Sequence, residues 1–241
     1  MPYTFILFFL LYLATTAAGQ LTPPDTSFGL AARNQAITTY ERTLYEQAHI
    51  YEGNEYIAHD YRIKIHPFYR TDSLQLGTIL YNGVQYNDVQ MLYDIVRDEL
   101  AIQPPGGGYR LRVRNEYVTA FSLGTYQFSR IVGDSATGLP TGYYEVLYNG
   151  KTKALSHRVK TVHEDISSGS YRAEYVPKDR FYVLKEGVYH EVKSKRSLLN
   201  LFPDQAKNLR KYIRANKLKF TDDQRELAVT QLTKRYEELT K

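Results

Sequence analysis

The pattern of apolar and polar positions changes character three times along the chain. Phe5 to Ala14 (FILFFLLYLA) is wholly apolar. A run of this length is too short for the ~20 residues that span a bilayer. It fits the apolar core of a secretory signal peptide, roughly 7–15 residues. Thr15 to Gly19 (TTAAG) then supplies small residues for cleavage after Gly19, with Ala17 at the −3 position, or after Ala18. The segment before the core carries no Lys or Arg. A buried N-terminal strand or helix is the competing reading; the polar, proline-containing QLTPPDTS that follows argues against it. No later apolar run approaches spanning length, so the mature chain is expected to carry no transmembrane segment.

Residues 20–31 read as a flexible leader. Ile37, Tyr40, Leu44 and Tyr45 then fall at helical spacing, predicting a helix over 32–48. From there to about residue 195 the pattern is that of strands. Four short units recur: IYEGNEY from Ile50, LYNGVQY from Leu80, LYNGKTK from Leu147 and LKEGVYH from Leu184. Asn-Gly between strand-like runs signals a type I′ hairpin, whose two central residues need positive φ. Asn82-Gly83 and Asn149-Gly150 fit this directly, while Glu52-Gly53 and Glu186-Gly187 suit longer, bulged turns. Alternation predicts strands through Val89–Ile95, Tyr109–Val113, Tyr117–Leu123, Thr125–Val132, Tyr143–Leu147, Leu155–Thr161, Tyr171–Val176 and Phe181–Leu184. The Pro104–Gly108 run and residues 133–142 read as loops.

The tail returns to a helical period. Ala206, Leu209, Tyr212 and Ile213 share a face, with Pro203 in the first turn. Thr221 to Gln224 has the form of a capping box before a second stripe of Ala228, Leu232, Tyr236 and Leu239. The expected fold is therefore α+β: an antiparallel β meander, curved or closed into a partial barrel, with an N-terminal helix and a C-terminal helical hairpin over 196–241.

Composition sharpens this. The absence of cysteine excludes disulfides, thiolate catalysis, Cys-ligated zinc and lipoprotein-type acylation. The 23 tyrosines suit pleated, half-buried surfaces and also binding faces. Of the net charge of +5, much is concentrated between Val192 and Phe220, where Asp204 is the sole acid. Lys207, Arg210, Lys211 and Arg214 on the first tail helix form a candidate partner-binding face for an envelope protein or anionic lipid; the alternative is a solvated helix surface. Export argues against nucleic acid.

The sequence holds no G-x-S-x-G, phosphate loop, HExxH or G-x-G-x-x-G, and no cofactor is expected. Among the six histidines, His157 and His163 would share a strand face roughly 20 Å apart, too far for one ion. Long-range pairing of His59 or His66 with another histidine stays open. His66-Pro67-Phe68-Tyr69 reads as a structural corner or as a pocket wall. Asp88, Asp94, Asp98 and Glu99 cluster; Asp94 and Asp98 would make a glycosidase-like pair only if one cleft receives both, and otherwise they are solvated turn formers.

The blocks GTILYNGVQYNDVQMLYDIVRDEL, GYYEVLYNGKTKALSHRVK and VYHEVKSKRSLLNLFPDQAKNLRKYIRANKLKF resemble a group of exported proteins of Bacteroidota-type bacteria with no established activity. The resemblance spans roughly residues 45–220. It implies a periplasmic, outer-membrane-associated or secreted location and brings no catalytic residue with it. Three functions follow as expectations: a non-catalytic binding or carrier protein for an apolar ligand or short glycan, a partner-docking protein using the basic helices, or a hydrolase with a dispersed site.

Overall fold

The computed structural model describes residues 48–241, apart from 135–136, 166 and 168–170, together with Gly29, Ala32, Arg33, Gln35 and Ala36. Those five are helical, so four residues of the expected 32–48 helix are seen as such. The rest of that helix as far as residue 47, the expected signal peptide and residues 20–28 lie outside the described residues. The segments Met1–Tyr45 and Glu46–Lys241 are separate compact units; the second is described below.

After one 3₁₀ turn at His49–Tyr51 the chain runs through short strands: β1 (Asn54–Glu55), β2 (Ile63–Lys64), β3 (Gln75–Tyr81), β4 (Val84–Asp94), β5 (Glu99–Gln103), β6 (Leu111–Arg112) and β7 (Val118–Leu123). It continues through β8 (Tyr126–Ile131), β9 (Gly142–Tyr148), β10 (Ala154–His157), β11 (Lys160–Asp165), β12 (Arg172–Pro177), β13 (Arg180–Lys185) and β14 (Val188–Glu191). Eleven of these form one antiparallel sheet, in the order β1-β6-β5-β4-β3-β7-β8-β9-β10-β13-β14, which does not close on itself. The other three form a small sheet, β11-β12-β2, in which β12 and β2 run parallel.

Turn chemistry explains much of this order. Asn82 and Gly83 both take positive φ, 48° and 78°, and close the β3–β4 hairpin in two residues. Glu186 and Gly187 do the same between β13 and β14, at 52° and 84°. That corrects the expectation of a longer turn there: the flanking pairing of Lys185 with Val188 leaves only two residues to turn. Asn149-Gly150 goes the other way, forming part of a five-residue connection before β10. Glu52-Gly53 makes no hairpin. Gly53 lies so close to the Arg112 carbonyl that a Cβ there would collide with it, so this glycine serves backbone packing.

The run Leu155–Thr161 is likewise two strands in different sheets. Arg158 breaks it, because its side chain turns into a buried ion cluster while the Val159 N–H bonds the Asp179 carboxylate. His157 and His163 therefore share no strand.

Two cores result. On one face of β3–β9, Tyr93 packs edge-on to Phe121 and Phe128, each with ring centroids 5.2 Å away, and to Tyr143 at 5.8 Å. Alternation places these rings: Ile79 and Tyr81 point inward while Thr78 and Leu80 point out. At the other end, Ala154, Phe181 and Val183 are covered by three C-terminal helices: α1 (Lys195–Leu201), α2 (Ala206–Ala215) and α3 (Arg225–Leu239). The expected two-helix hairpin lacked α1, a seven-residue helix too short for a clear period. A reciprocal Ser194–Ser197 capping box starts it. Thr221–Gln224 forms no such box: Gln224 is the N-cap of α3 and makes no side-chain cap bond.

Candidate functional site

The β4 strand ends on a carboxylate rather than another apolar side chain. Asp94 is fully buried. Its Oδ1 accepts the backbone N–H groups of Val96 (2.9 Å) and Arg97 (3.1 Å), shaping the β4–β5 turn. Its Oδ2 accepts the Tyr56 hydroxyl at 2.7 Å and lies 2.6 Å from Nε2 of His59. With Asp94 as acceptor, His59 donates from Nε2, and its Nδ1 lies 2.5 Å from the Tyr175 hydroxyl. Three parts of the chain, carrying Tyr56 and His59, Asp94, and Tyr175, thus meet in one hydrogen-bonded network. Burial, then the Asp94 charge, pushes the Tyr175 phenol up; burial and the Asp94 hydrogen bond do the same to Tyr56.

The segment leading to this network is pinned on both sides. Phe68 bridges Asp94, Tyr69 N–H bonds the Tyr93 carbonyl, and the buried Lys160 ammonium donates to the carbonyls of His66 (2.7 Å) and Phe68 (2.9 Å). Ile65 and Arg70, at either end, take φ of 65° and 58°. For a β-branched residue such as Ile65 this is a strained conformation, of the kind held in place by surrounding structure near functional sites.

Above the network opens a cleft of about 470 Å³. His59, Phe68 and Tyr175 line its inner part. Its rim groups three exposed large side chains, a clustering that marks interaction sites more than single exposed residues do: Tyr61 is 94% exposed, Tyr109 74% and Ile65 55%. His66-Pro67-Phe68-Tyr69 serves both expected roles, since Tyr69 turns into the core while His66 and Phe68 face the cleft. A second groove, about 510 Å³, crosses the outer face of the large sheet past Thr78, Ser122, Gln127 and Ser129. Among the described residues Lys153 is its only charged lining group.

The other candidate residues separate. Asp98 does not join Asp94: its Oδ1 accepts the Tyr93 hydroxyl (2.6 Å), its Oδ2 accepts the Tyr143 N–H (3.1 Å), and His157 lies on that side. The pair therefore has no common cleft. Nor are both solvated turn formers, because the Asp94 carboxylate is wholly inside. Asp88 sits exposed at φ 54°, and Glu99 pairs with Arg112 at 3.1 Å. Lys207, Arg210, Lys211 and Arg214 lie on α2, all exposed and remote in sequence from the cleft-forming segments. Among the described residues no group of three or more His, Asp and Glu side chains is placed to hold a metal ion, and no helix is long and apolar enough to cross a membrane.

Burial lowers the pKa of both His66 and His157, with the Lys160 charge adding to the effect at His66. The unfolded chain then binds more protons than the folded one below the ordinary histidine value of about 6.5. Their contribution to stability is present above that value and lost as the pH falls through it. Urea midpoints measured between pH 7.5 and 5.5 should fall on acidification, and the His66→Gln/His157→Gln protein should fall less. An equal slope in both proteins would show that neither imidazole is held neutral.

No family model, curated protein or solved structure matches the chain, so the reading of its function rests on this geometry.

Proposed function

We propose that the protein is an exported, non-catalytic binding protein that holds a short glycan in the Tyr61–Tyr109 cleft. The observation that carries this is the combination of two exposed tyrosine rings with a floor held rigid by the hydrogen-bonded network beneath it. A sugar ring offers C–H faces that lie flat on an aromatic ring and hydroxyls that need hydrogen bonds at its edge. Tyrosine supplies both in one rigid side chain. The His59–Asp94–Tyr175 network holds the floor in one geometry, which reduces the ordering a ligand must impose.

Two alternatives fare less well. An acyl chain calls for an enclosed apolar cavity; the large sheet is open and the cleft faces solvent. A hydrolase with a dispersed site calls for paired carboxylates or histidines in one cleft; Asp94 and Asp98 share none, and His59 is engaged by Asp94 and Tyr175. The location implied by the signal-like leader suits a protein that meets envelope or environmental polysaccharide.

Titration calorimetry of the mature protein with short cello-, xylo- and chito-oligosaccharides tests the reading. One class should bind. Tyr61→Ala and Tyr109→Ala should each weaken it by about 1 kcal/mol, roughly fivefold, if each ring stacks on a sugar. Both side chains are exposed, so the variants should fold normally. Absence of heat with every class, or unchanged affinity in both variants, would remove this function.

A further inference from the structure

Helix α2 has two faces with nothing in common. Leu209 and Ile213 are buried against α1, α3 and the sheet. Lys207, Arg210, Lys211 and Arg214 recur at i, i+3, i+4 and i+7, which on a helix is one stripe. The stripe lies away from the buried pair, and all four side chains are exposed. Lys217 and Lys219 extend it past the helix end, and no acid interrupts the sequence from Gln205 to Phe220.

Among the described residues none of the four has an ion-pair partner, although Arg158, Arg225 and Arg235 elsewhere are paired. Like charges at these spacings repel one another along an isolated helix, so the stripe opposes helix stability unless an anionic surface meets it. The chemistry of the face also indicates what kind. Protein interfaces have an apolar or aromatic centre and, although they use arginine, are poor in lysine. This one is lysine and arginine alone, and none of the exposed large apolar side chains lies between Val188 and Leu227. A diffuse array of cations without an anchor matches a diffuse array of anions.

We propose that the α2 stripe docks the protein on the anionic headgroups of a lipid bilayer, with Lys207, Arg210, Lys211 and Arg214 as the contacts. Each cation near such a surface contributes roughly fivefold to partitioning, so four contribute on the order of several hundredfold. This inference stands apart from the glycan cleft and survives if that reading fails.

The test is co-sedimentation of the mature protein with phosphatidylcholine vesicles, with and without phosphatidylglycerol. Binding should require phosphatidylglycerol, and raising the salt should release it, since surface attraction is screened. The Lys207→Gln/Arg210→Gln/Lys211→Gln/Arg214→Gln protein should lose several hundredfold of that partitioning at low salt. Its unfolding midpoint should stay near that of the wild type, because the four side chains are outside the core. A wild-type protein that ignores the anionic vesicles would overturn the proposal. So would a quadruple variant that is folded yet binds them equally well.

Discussion

Arg158→Ala is expected to cost about 3–5 kcal/mol of folding stability, the range found when one partner of a buried ion pair is removed. The guanidinium is buried and joins three separate elements: Nε donates to Glu145 on β9 at 2.5 Å, Nη1 to Asp179 between β12 and β13 at 2.6 Å, and Nη2 to Glu226 on α3 at 2.8 Å. Its side chain is 7% exposed and that of Glu145 only 4%. Burial alone would lower the Arg158 pKa, but the Glu145 hydrogen bond and the surrounding carboxylates raise it instead. Alanine leaves Glu145 as a buried carboxylate with the Tyr69 hydroxyl, 3.0 Å away, as its remaining side-chain donor. Asp179 and Glu226 are partly exposed and lose far less. A domain holding roughly 5–15 kcal/mol in total would be left marginal. Urea denaturation of the variant checks this. Glu226→Gln should cost under about 1 kcal/mol in the same assay, because its carboxylate already reaches water. Equal losses in the two variants would show that burial is not what sets the cost.

Asp94→Ala is expected to be of similar size, about 3–5 kcal/mol, for a different reason. Removing the carboxylate strands the buried Tyr56 hydroxyl together with three part-buried donors, the His59 imidazole and the N–H groups of Val96 and Arg97; a fully buried unpaired donor carries a penalty of about 1–3 kcal/mol, and water partly relieves the others. Tyr56→Phe removes one donor and leaves the acceptor three others, so it should cost only about 1 kcal/mol. The contrast reads out the network directly by chemical denaturation. Comparable losses in the two proteins would mean that Asp94 matters only as one end of its bond to Tyr56.

Both residues were hard to read from the sequence, and for the same physical reason. Asp94 shares its hydrogen-bond chain with Tyr175, and Tyr175 reaches it through His59, 116 positions away. Nothing local marks such a meeting. Asp94 falls on the polar phase of the alternating run Val89–Ile95, so the pattern gives no sign that its carboxylate is buried. Arg158 looked like the polar half of an alternating strand, and only the turn of the chain between two sheets buries it. The parallel pairing of β2 with β12 was equally silent, since two-residue strands carry no period. Local rules succeeded where the interaction is local. Asn82-Gly83 needs only its own φ values to turn, and α2 and α3 declare their buried faces through Leu209, Ile213 and Leu232. The α+β class with a large antiparallel sheet followed from those features. The cleft did not, because its rim joins Tyr61 and Ile65 to Tyr109 on a distant loop.

The fold and the proposed function are linked through that rim. Lys160, reaching from the small sheet, fixes the 66–68 segment against β4, and Asp94 fixes His59 beneath it. The most direct test of this account is ¹⁵N spectroscopy of the histidine rings while the cello-, xylo- and chito-oligosaccharides are added in turn. A glycan in the cleft should shift the His59 and His66 rings and leave those of the exposed His163 and His190 unmoved. If no oligosaccharide moves His59 or His66, or if His163 and His190 respond in their place, the cleft is not the binding site.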